Sequence, residues 1–381
     1  MREKVLILTD SPVLPSGLGR VGREIASRYS SNKDVDVRYA GWNHPNAQHK
    51  FSYPIYPILR GSAEEPMMFA EILKGFKPDT LICIGDIWYF NHLANIPSQT
   101  LPPRRIAYIT VDARPFYADW GKTLSIFTRV CVMSKFGAKE IERVFPKENF
   151  TVVYPGVDRS VFRPVKKKSI PQFKGSFMVM VNAFNSSRKN IPASIKAFEI
   201  FSKYHTEANA KMFILSKPSH YEGHNLPRMT ERLGLSDSVF FDDGRQLLFG
   251  IPDMELQKYY ENADCLLSTT SGEGLGLSVL EGFATKTPVI MTDYTTCDEL
   301  LGGDISPRGV KIEVAEYLTG AFEMERAVAS VKSTVSALSA VYSCNMKPVV
   351  ERAFEFSKQF SWDKMFQQLT RDREEKQWRS V

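Results

Sequence analysis

Short apolar runs alternate with helical periodicity along the chain. The runs "KVLILT" (4–9), "VDVRYA" (35–40), "TLICIG" (80–85), "RIAYIT" (105–110), "RVCVM" (129–133) and "FTVVYP" (150–155) predict a first series of strands. A second series is predicted at "SFMVMVN" (176–182), "KMFILS" (211–216), "SVFF" (238–241), "DCLLS" (264–268) and "PVIMT" (288–292). Between them, segments such as "GAKEIERVF" (137–145) and "IKAFEIFSKYH" (195–205) place apolar residues every three or four positions, the spacing of an amphipathic helix. Strand–helix alternation predicts parallel sheets with helices on both faces. Each series has the size of one doubly wound domain, so the expected fold is α/β with two such domains. The stretch "RPVKKKSIPQFKG" (163–175) is basic, contains proline and lacks periodicity, and reads as an exposed linker. Beyond residue 310 the pattern reads as almost wholly helical.

Composition changes this picture little. With 381 residues, 43% of them apolar, and 25 Phe and 15 Tyr, the chain can fill two cores. The formal charge of +6 favours anionic partners, such as phosphorylated ligands or an acidic membrane surface. Lys166 to Lys168 form the one run of three basic residues, and no arginine-rich tail is present, which argues against a dedicated nucleic-acid binder. Five cysteines, an odd number with no C-x-x-C pair, suggest neither a disulfide framework nor a zinc site. Cys83, Cys131 and Cys265 lie in strand-like runs, where cysteine serves as a small core residue. The six histidines show no metal spacing. The apolar stretch at the N-terminus is too short for a signal peptide, and nothing approaches the roughly 20 apolar residues that span a bilayer. The expectation is a cytoplasmic protein, with peripheral membrane contact left open.

The densest chemistry lies at "TTSGEGLGLSVLEGFATK" (269–286). A buried strand, "DCLLS", leads into a glycine-rich loop and then a helix that is expected to begin near Gly274. Such a loop sits at the carboxyl edge of a parallel sheet, where open α/β folds bind ligands. Glycines admit a ligand close to the backbone. The amides of Gly274 to Ser278 would face out of a helix N-terminus, a natural anion site. Glu273 stands at the loop tip and Glu281 eight positions on, about two turns along that helix. A diphosphate flanked by two hydroxyl-bearing rings matches this layout, and a nucleotide-sugar is such a molecule.

"EGLGLSVLE" (273–281) resembles the E-x7-E signature of retaining GT-B glycosyltransferases, and "EGLGLSVLEGFATKTPVI" is similar to that of family four. Other segments resemble the same family in the same order: "CVMSKFGAKEIER" (131–143), "VVYPGVDRSVFRP" (152–164), "NSSRKNIPASIKAF" (185–198), "ELQKYYENADCLLSTTSGEG" (255–274) and "FSWDKMFQQL" (360–369). The resemblance implies two Rossmann-like domains facing across a cleft. Residues 1–165 would form the acceptor-side domain and 166–358 the nucleotide-sugar domain, with 359–381 a C-terminal helix packing back on the first. It also implies roles. Glu273 would hold hydroxyls of the transferred sugar, and the backbone of Gly274, Leu275 and Gly276, continuing through Leu277 and Ser278, would line the sugar and diphosphate. Glu281 would accept the ribose hydroxyls. Arg188 and Lys189 would neutralise the leaving diphosphate. Gly17 and Gly19, in "PSGLGR" (15–20), would bring the first domain's backbone to the phosphates and acceptor. The family generally needs neither a metal nor a prosthetic group, and no convincing Asp-x-Asp loop is present.

Two positions depart from the family pattern. Ala183 stands where many members carry an arginine, which leaves Arg188 as a substitute. Asp112, in "YITVDARP", stands where many carry a histidine, and is a candidate for holding a sugar hydroxyl or taking the acceptor's proton; its alternative reading is a turn before Pro115. Asp86 reads as an N-cap of the next helix. The donor base would be chosen near "LSKPSH" (215–220) and "FDDGRQL" (241–247); of the family donors, GDP-mannose is favoured over UDP-glucose. The acceptor, a glycan, glycolipid or glycoprotein hydroxyl, would lie around "GWNHPN" (41–46) and "ARPFYADW" (113–120), whose aromatics would stack on sugars or simply pack. Rival readings are a nucleotide-sugar epimerase, a DNA glucosyltransferase and a non-catalytic sugar-binding protein on the same fold.

Overall fold

The computed structural model describes residues 2–45, 49–146, 149–165, 170–242 and 250–371. Seven strands form the first sheet: β1 (Glu3–Asp10), β2 (Val35–Trp42), β3 (Ile55–Ile58), β4 (Thr80–Gly85), β5 (Arg104–Ile109), β6 (Arg129–Val132) and β7 (Phe150–Val152). Their order is β3-β2-β1-β4-β5-β6-β7, with every pair parallel. Every position of β4 is buried, which is why its sequence is a continuous apolar run rather than an alternating one. The helices α1 (Gly17–Ser30), α2 (Glu65–Phe76), α3 (Ala118–Leu124) and α4 (Lys135–Glu142) follow strands of this sheet.

The second sheet repeats the plan with β8 (Met178–Asn182), β9 (Lys211–Leu215), β10 (Val239–Phe241), β11 (Cys265–Ser268), β12 (Val289–Thr292) and β13 (Val310–Ile312). Its order is β10-β9-β8-β11-β12-β13, again all parallel. Seven more helices accompany it: α5 (Ile191–Tyr204), α6 (Leu226–Arg232), α7 (Asp253–Asn262), α8 (Leu277–Thr285), α9 (Cys297–Leu301), α10 (Val331–Ser343) and α11 (Lys347–Ser357). The last helix, α12 (Trp362–Thr370), leaves this half of the chain. Trp362, Met365 and Leu369 are buried in the core beneath β1 and α1, and Phe366 meets Tyr29 edge-on at 4.9 Å. Arg28 of α1 pairs with Asp363 at 2.8 Å. The architecture is therefore two doubly wound α/β domains in the GT-B arrangement.

Three expectations are corrected. The stretch after residue 310 is helical only from Val331; before that come β13 and an antiparallel hairpin, β14 (Val314–Thr319) and β15 (Glu325–Ala329). Its Ala, Glu, Met and Leu favour helix locally, and cross-strand pairing together with docking on the other domain overrides that preference. Helix α8 starts at Leu277, not near Gly274, because Gly276 has φ +103° and cannot continue a right-handed helix. The presumed linker is partly core: Phe173 is buried against Phe213 and Phe240, while Lys166 to Lys168 lie outside the described residues. Cys83, Cys131 and Cys265 are buried and unbridged, as core residues.

In each sheet the strand order reverses once, between β1 and β4 in the first and between β8 and β11 in the second. Chain leaving neighbouring strands in opposite directions opens a crevice at those carboxyl ends. The loops that leave β1, β4 and β5 face those that leave β8 and β11.

Candidate active site at the interdomain cleft

Where the two edges meet, backbone touches backbone. A Cβ placed on Gly272 would lie 1.9 Å from the carbonyl oxygen of Asp112, and one on Gly274 would lie 3.0 Å from Thr110 Cβ. Bare backbone in the loop after β11 is thus required by the facing domain. Leu277, at the start of α8, packs into the first domain's core, and a Cβ on Gly17 would meet it at 3.6 Å.

Charge gathers at this seam. The short 3-10 turn Ser187–Lys189, after β8, presents Arg188 and Lys189. Lys189 Nζ pairs with Glu273 Oε1, and Arg188 Nη1 lies 3.9 Å from Glu273 Oε2. Arg188 Nη1 also donates to the Gly272 carbonyl at 2.6 Å, and its Nε lies 3.3 Å from Asp112 Oδ2. The Glu273 amide donates to Thr295 Oγ1 at 3.0 Å, which fixes the loop tip. The other oxygen of Asp112 is held by Arg326 of β15 at 2.9 Å. Arg188, Lys189, Glu273 and Asp112, all expected at the site, are therefore brought into one cluster.

Burial and pairing set the protonation states. Burial pushes the Glu273 carboxyl up, but Lys189 and Arg188 outweigh it and hold the group below its ordinary value. Asp112 behaves alike: burial opposes ionisation, and Arg188 with Arg326 overcomes it. Burial lowers the Lys189 ammonium despite Glu273. Asp86 differs. It occupies the N-cap position of the 3-10 helix Ile87–Asn95 but makes no side-chain cap bond, contrary to expectation. Its carboxylate turns towards the cleft and accepts from the Thr110 hydroxyl instead. Burial, then the charge of Asp112, pushes it up to about 7.

Glu281 belongs to a second cluster. It lies in the second turn of α8 and is buried, with Oε1 paired to Arg20 of α1 and Oε2 accepting from Tyr260 at 2.7 Å. Arg20 also pairs with Asp253 at 2.8 Å. Burial raises the Glu281 carboxyl, with Arg20 and Tyr260 opposing. Each Glu281 oxygen thus already has one protein donor and keeps capacity for another. Gly19 is not brought to the cleft: it is buried in the first turn of α1, its amide given to Ser16 Oγ at 3.0 Å, with room for no Cβ against the Ser11 carbonyl. The Leu275 carbonyl is taken by Thr296 at 3.0 Å and the Ser278 carbonyl by Tyr260 at 3.2 Å.

Sequence reasoning missed Arg20, Tyr260, Thr110 and Arg326. Arg20 sits one residue past "GLG", on the face that meets α8, a local signal that was available. Arg326 had none, because its strand reads as helix. Of the aromatics near the expected acceptor region, Trp42, Phe116 and Trp120 are buried and pack. The loop 216–225 is pinned by Asn185, which donates to the carbonyls of Lys217 and His224; residues 243–247 lie outside the described residues. Among the described residues, no group of three or more His, Cys, Asp or Glu is arranged to hold a metal ion.

Residues 162–314 match the family model described as glycosyl transferases group 1. The chain is 27% identical over 166 residues to a D-inositol 3-phosphate glycosyltransferase of Paenarthrobacter aurescens, covering 42% of this chain and 38% of that protein. It is 27% identical over 220 residues to an O-antigen chain mannosyltransferase of Salmonella typhimurium, covering 53% of this chain and 56% of that protein. The matched stretches thus span about half of those relatives or less. In structure it is similar to a sucrose-phosphate synthase from Thermosynechococcus elongatus, with TM-score 0.74, 13% identity and 97% of each chain covered. In sequence over part of its length this chain is similar to glycosyltransferases, and in fold over nearly all of it the chain has the two-domain GT-B architecture.

Proposed function

We propose that the protein is a retaining glycosyltransferase that moves a hexose from a nucleoside diphosphate sugar to a hydroxyl of a glycan or glycolipid. The observation that carries this reading is the cluster of Glu273, Arg188 and Lys189 at the facing switch points, on the segment that matches the glycosyltransferase family. In this reading Arg188 and Lys189 stabilise the charge that grows on the diphosphate as its bond to the sugar breaks, a fork beside a point charge. Preorganised cations of this kind lower the barrier most where charge develops. Glu273 exchanges Lys189 for sugar hydroxyls. The acceptor hydroxyl enters on the face the phosphate leaves, and that phosphate assists removal of its proton. Glu281 accepts the ribose hydroxyls beside Arg20. Asp112 faces the reacting end of the donor. GDP-mannose is the donor we favour, which the mannosyltransferase similarity supports.

The test is thermal stability against UDP, GDP, UDP-glucose and GDP-mannose without added metal, followed by Glu273→Ala. A ligand at a hundredfold excess over its dissociation constant stabilises by about 2.7 kcal/mol. We expect one base to shift the melting temperature of the wild type, and Glu273→Ala to keep that shift while losing transfer. No shift with any of the four would sink the donor site. Equal loss of binding and transfer would sink the role of Glu273.

A further inference from the structure

The β14–β15 hairpin belongs to neither doubly wound sheet. It follows β13 and spans the seam, its tip on the first domain and Ala329, at the end of β15, in the second domain's core. Met324 is 2% exposed within the first domain's core, and Phe322 meets Trp88 at 5.1 Å. The amide of Glu325 donates to the Arg114 carbonyl at 2.7 Å, an isolated antiparallel bridge between the domains. The next residue is Arg326. Two residues on from Glu325, along the same edge of β15, the Ala327 amide donates to the Ser271 carbonyl in the loop after β11. Arg326 is thus fixed from both domains at the seam.

Its guanidinium uses one nitrogen, Nη1, on both the carbonyl and the carboxylate of Asp112, each at 2.9 Å. Among the described residues Nε and Nη2 engage no partner, and the side chain is 18% exposed. Asp112 lies between Arg326 and Arg188, with one carboxylate oxygen towards each. That carboxylate fills the space between the guanidiniums, so a phosphate group beside it would be met by the unengaged Nε and Nη2 of Arg326.

Charge decides what this arrangement is for. Arg188 and Lys189 are balanced by Asp112 and Glu273, and Asp86 beside them adds no full negative charge until the pH passes about 7, so without Arg326 the set carries no positive excess. Arg326 makes the cluster net positive. We propose that Arg326, delivered by the hairpin, is the third cation of the donor's diphosphate site. This rests on the donor reading above. The hairpin then couples diphosphate binding to the contact between domains, because the side chain that binds is anchored in both.

The test measures binding of UDP and GDP, and of uridine and guanosine, by calorimetry to the wild type, Arg326→Ala and Arg326→Lys at several salt concentrations. Charge-assisted hydrogen bonds of this class correspond to a loss of roughly 10- to 100-fold. Arg326→Ala is expected to lose that much diphosphate affinity, to keep nucleoside affinity and to show a shallower salt dependence. Arg326→Lys is expected to recover part of it, and decides the matter if the alanine variant does not fold. Unchanged diphosphate affinity in Arg326→Ala, with the wild type binding, overturns the proposal and leaves the donor reading standing. Equal loss of diphosphate and nucleoside overturns it too, and makes the hairpin a brace only. A wild type that binds neither diphosphate removes the donor reading itself.

Discussion

At the scale of the residue, the cleft separates carboxylates by their partners. Glu273 and Asp112 are held ionised by cations, whereas Asp86 shares its edge of the sheet with Asp112 and forms no ion pair among the described residues. Its carboxyl, facing Asp112, Arg188 and Arg326, is pushed from an ordinary 3.8 to about 7, by burial first. The sign of the stability effect follows. Between those values the unfolded chain has released the proton that the folded chain still holds, so stability falls as pH rises through that window, and the loss is complete above it. Asp86→Asn removes the titration. The melting temperature of the variant minus that of the wild type should rise from pH 4 to pH 7 and then level off. A difference that is flat across that range would show that Asp86 titrates normally.

At the scale of the element, two pieces of the second half of the chain reach into the first domain. One is the hairpin, the other α12. The helix is capped by Ser361, whose side chain accepts from the Lys364 amide, and it presents Trp362, Met365 and Leu369 to a core built by β1, β4 and α1. Met365 is fully buried. Met365→Ala should destabilise the protein by about 2–5 kcal/mol, the range for such truncations in a packed core. Chemical denaturation checks it, and a loss under ~1 kcal/mol would mean that the helix rests on the core without filling it. The periodicity of "FSWDKMFQQL" reveals the helix and its apolar stripe. Periodicity alone does not say which core receives the stripe.

At the scale of the whole molecule, the two domains meet through charge as well as apolar contact. Arg20 bridges to Glu281 and Asp253, Arg114 to Glu325, and Glu299 of α9 accepts the amides of Lys135 and Phe136 at the start of α4. The cations at the seam lie where the proposed diphosphate would sit, and in our reading they do the work that a divalent ion does elsewhere. Incubation with a chelator should therefore leave release of nucleoside diphosphate from the donor unchanged. Loss of that release on chelation, restored by magnesium or manganese, would show that the side chains do not suffice.

The sequence by itself determined what depends on short-range order. Buried parallel strands must be continuous apolar runs, so the main strands of both sheets, from "TLICIG" to "PVIMT", were legible, as was the loop that carries Glu273. Arg188, Lys189, Glu273 and Asp112 were named as a set by the resemblance to the glycosyltransferase family, not by spacing or composition. Tertiary structure alone decided the rest. It turned helix-favouring residues around Tyr317 and Arg326 into a hairpin, because pairing and docking energies exceed local propensity. It turned Asp86 from a cap into a buried acid, and it gave Glu281 to Arg20. These outcomes depend on residues far apart in the chain meeting across a cleft, and a one-dimensional pattern does not encode which carboxylate a distant guanidinium will reach.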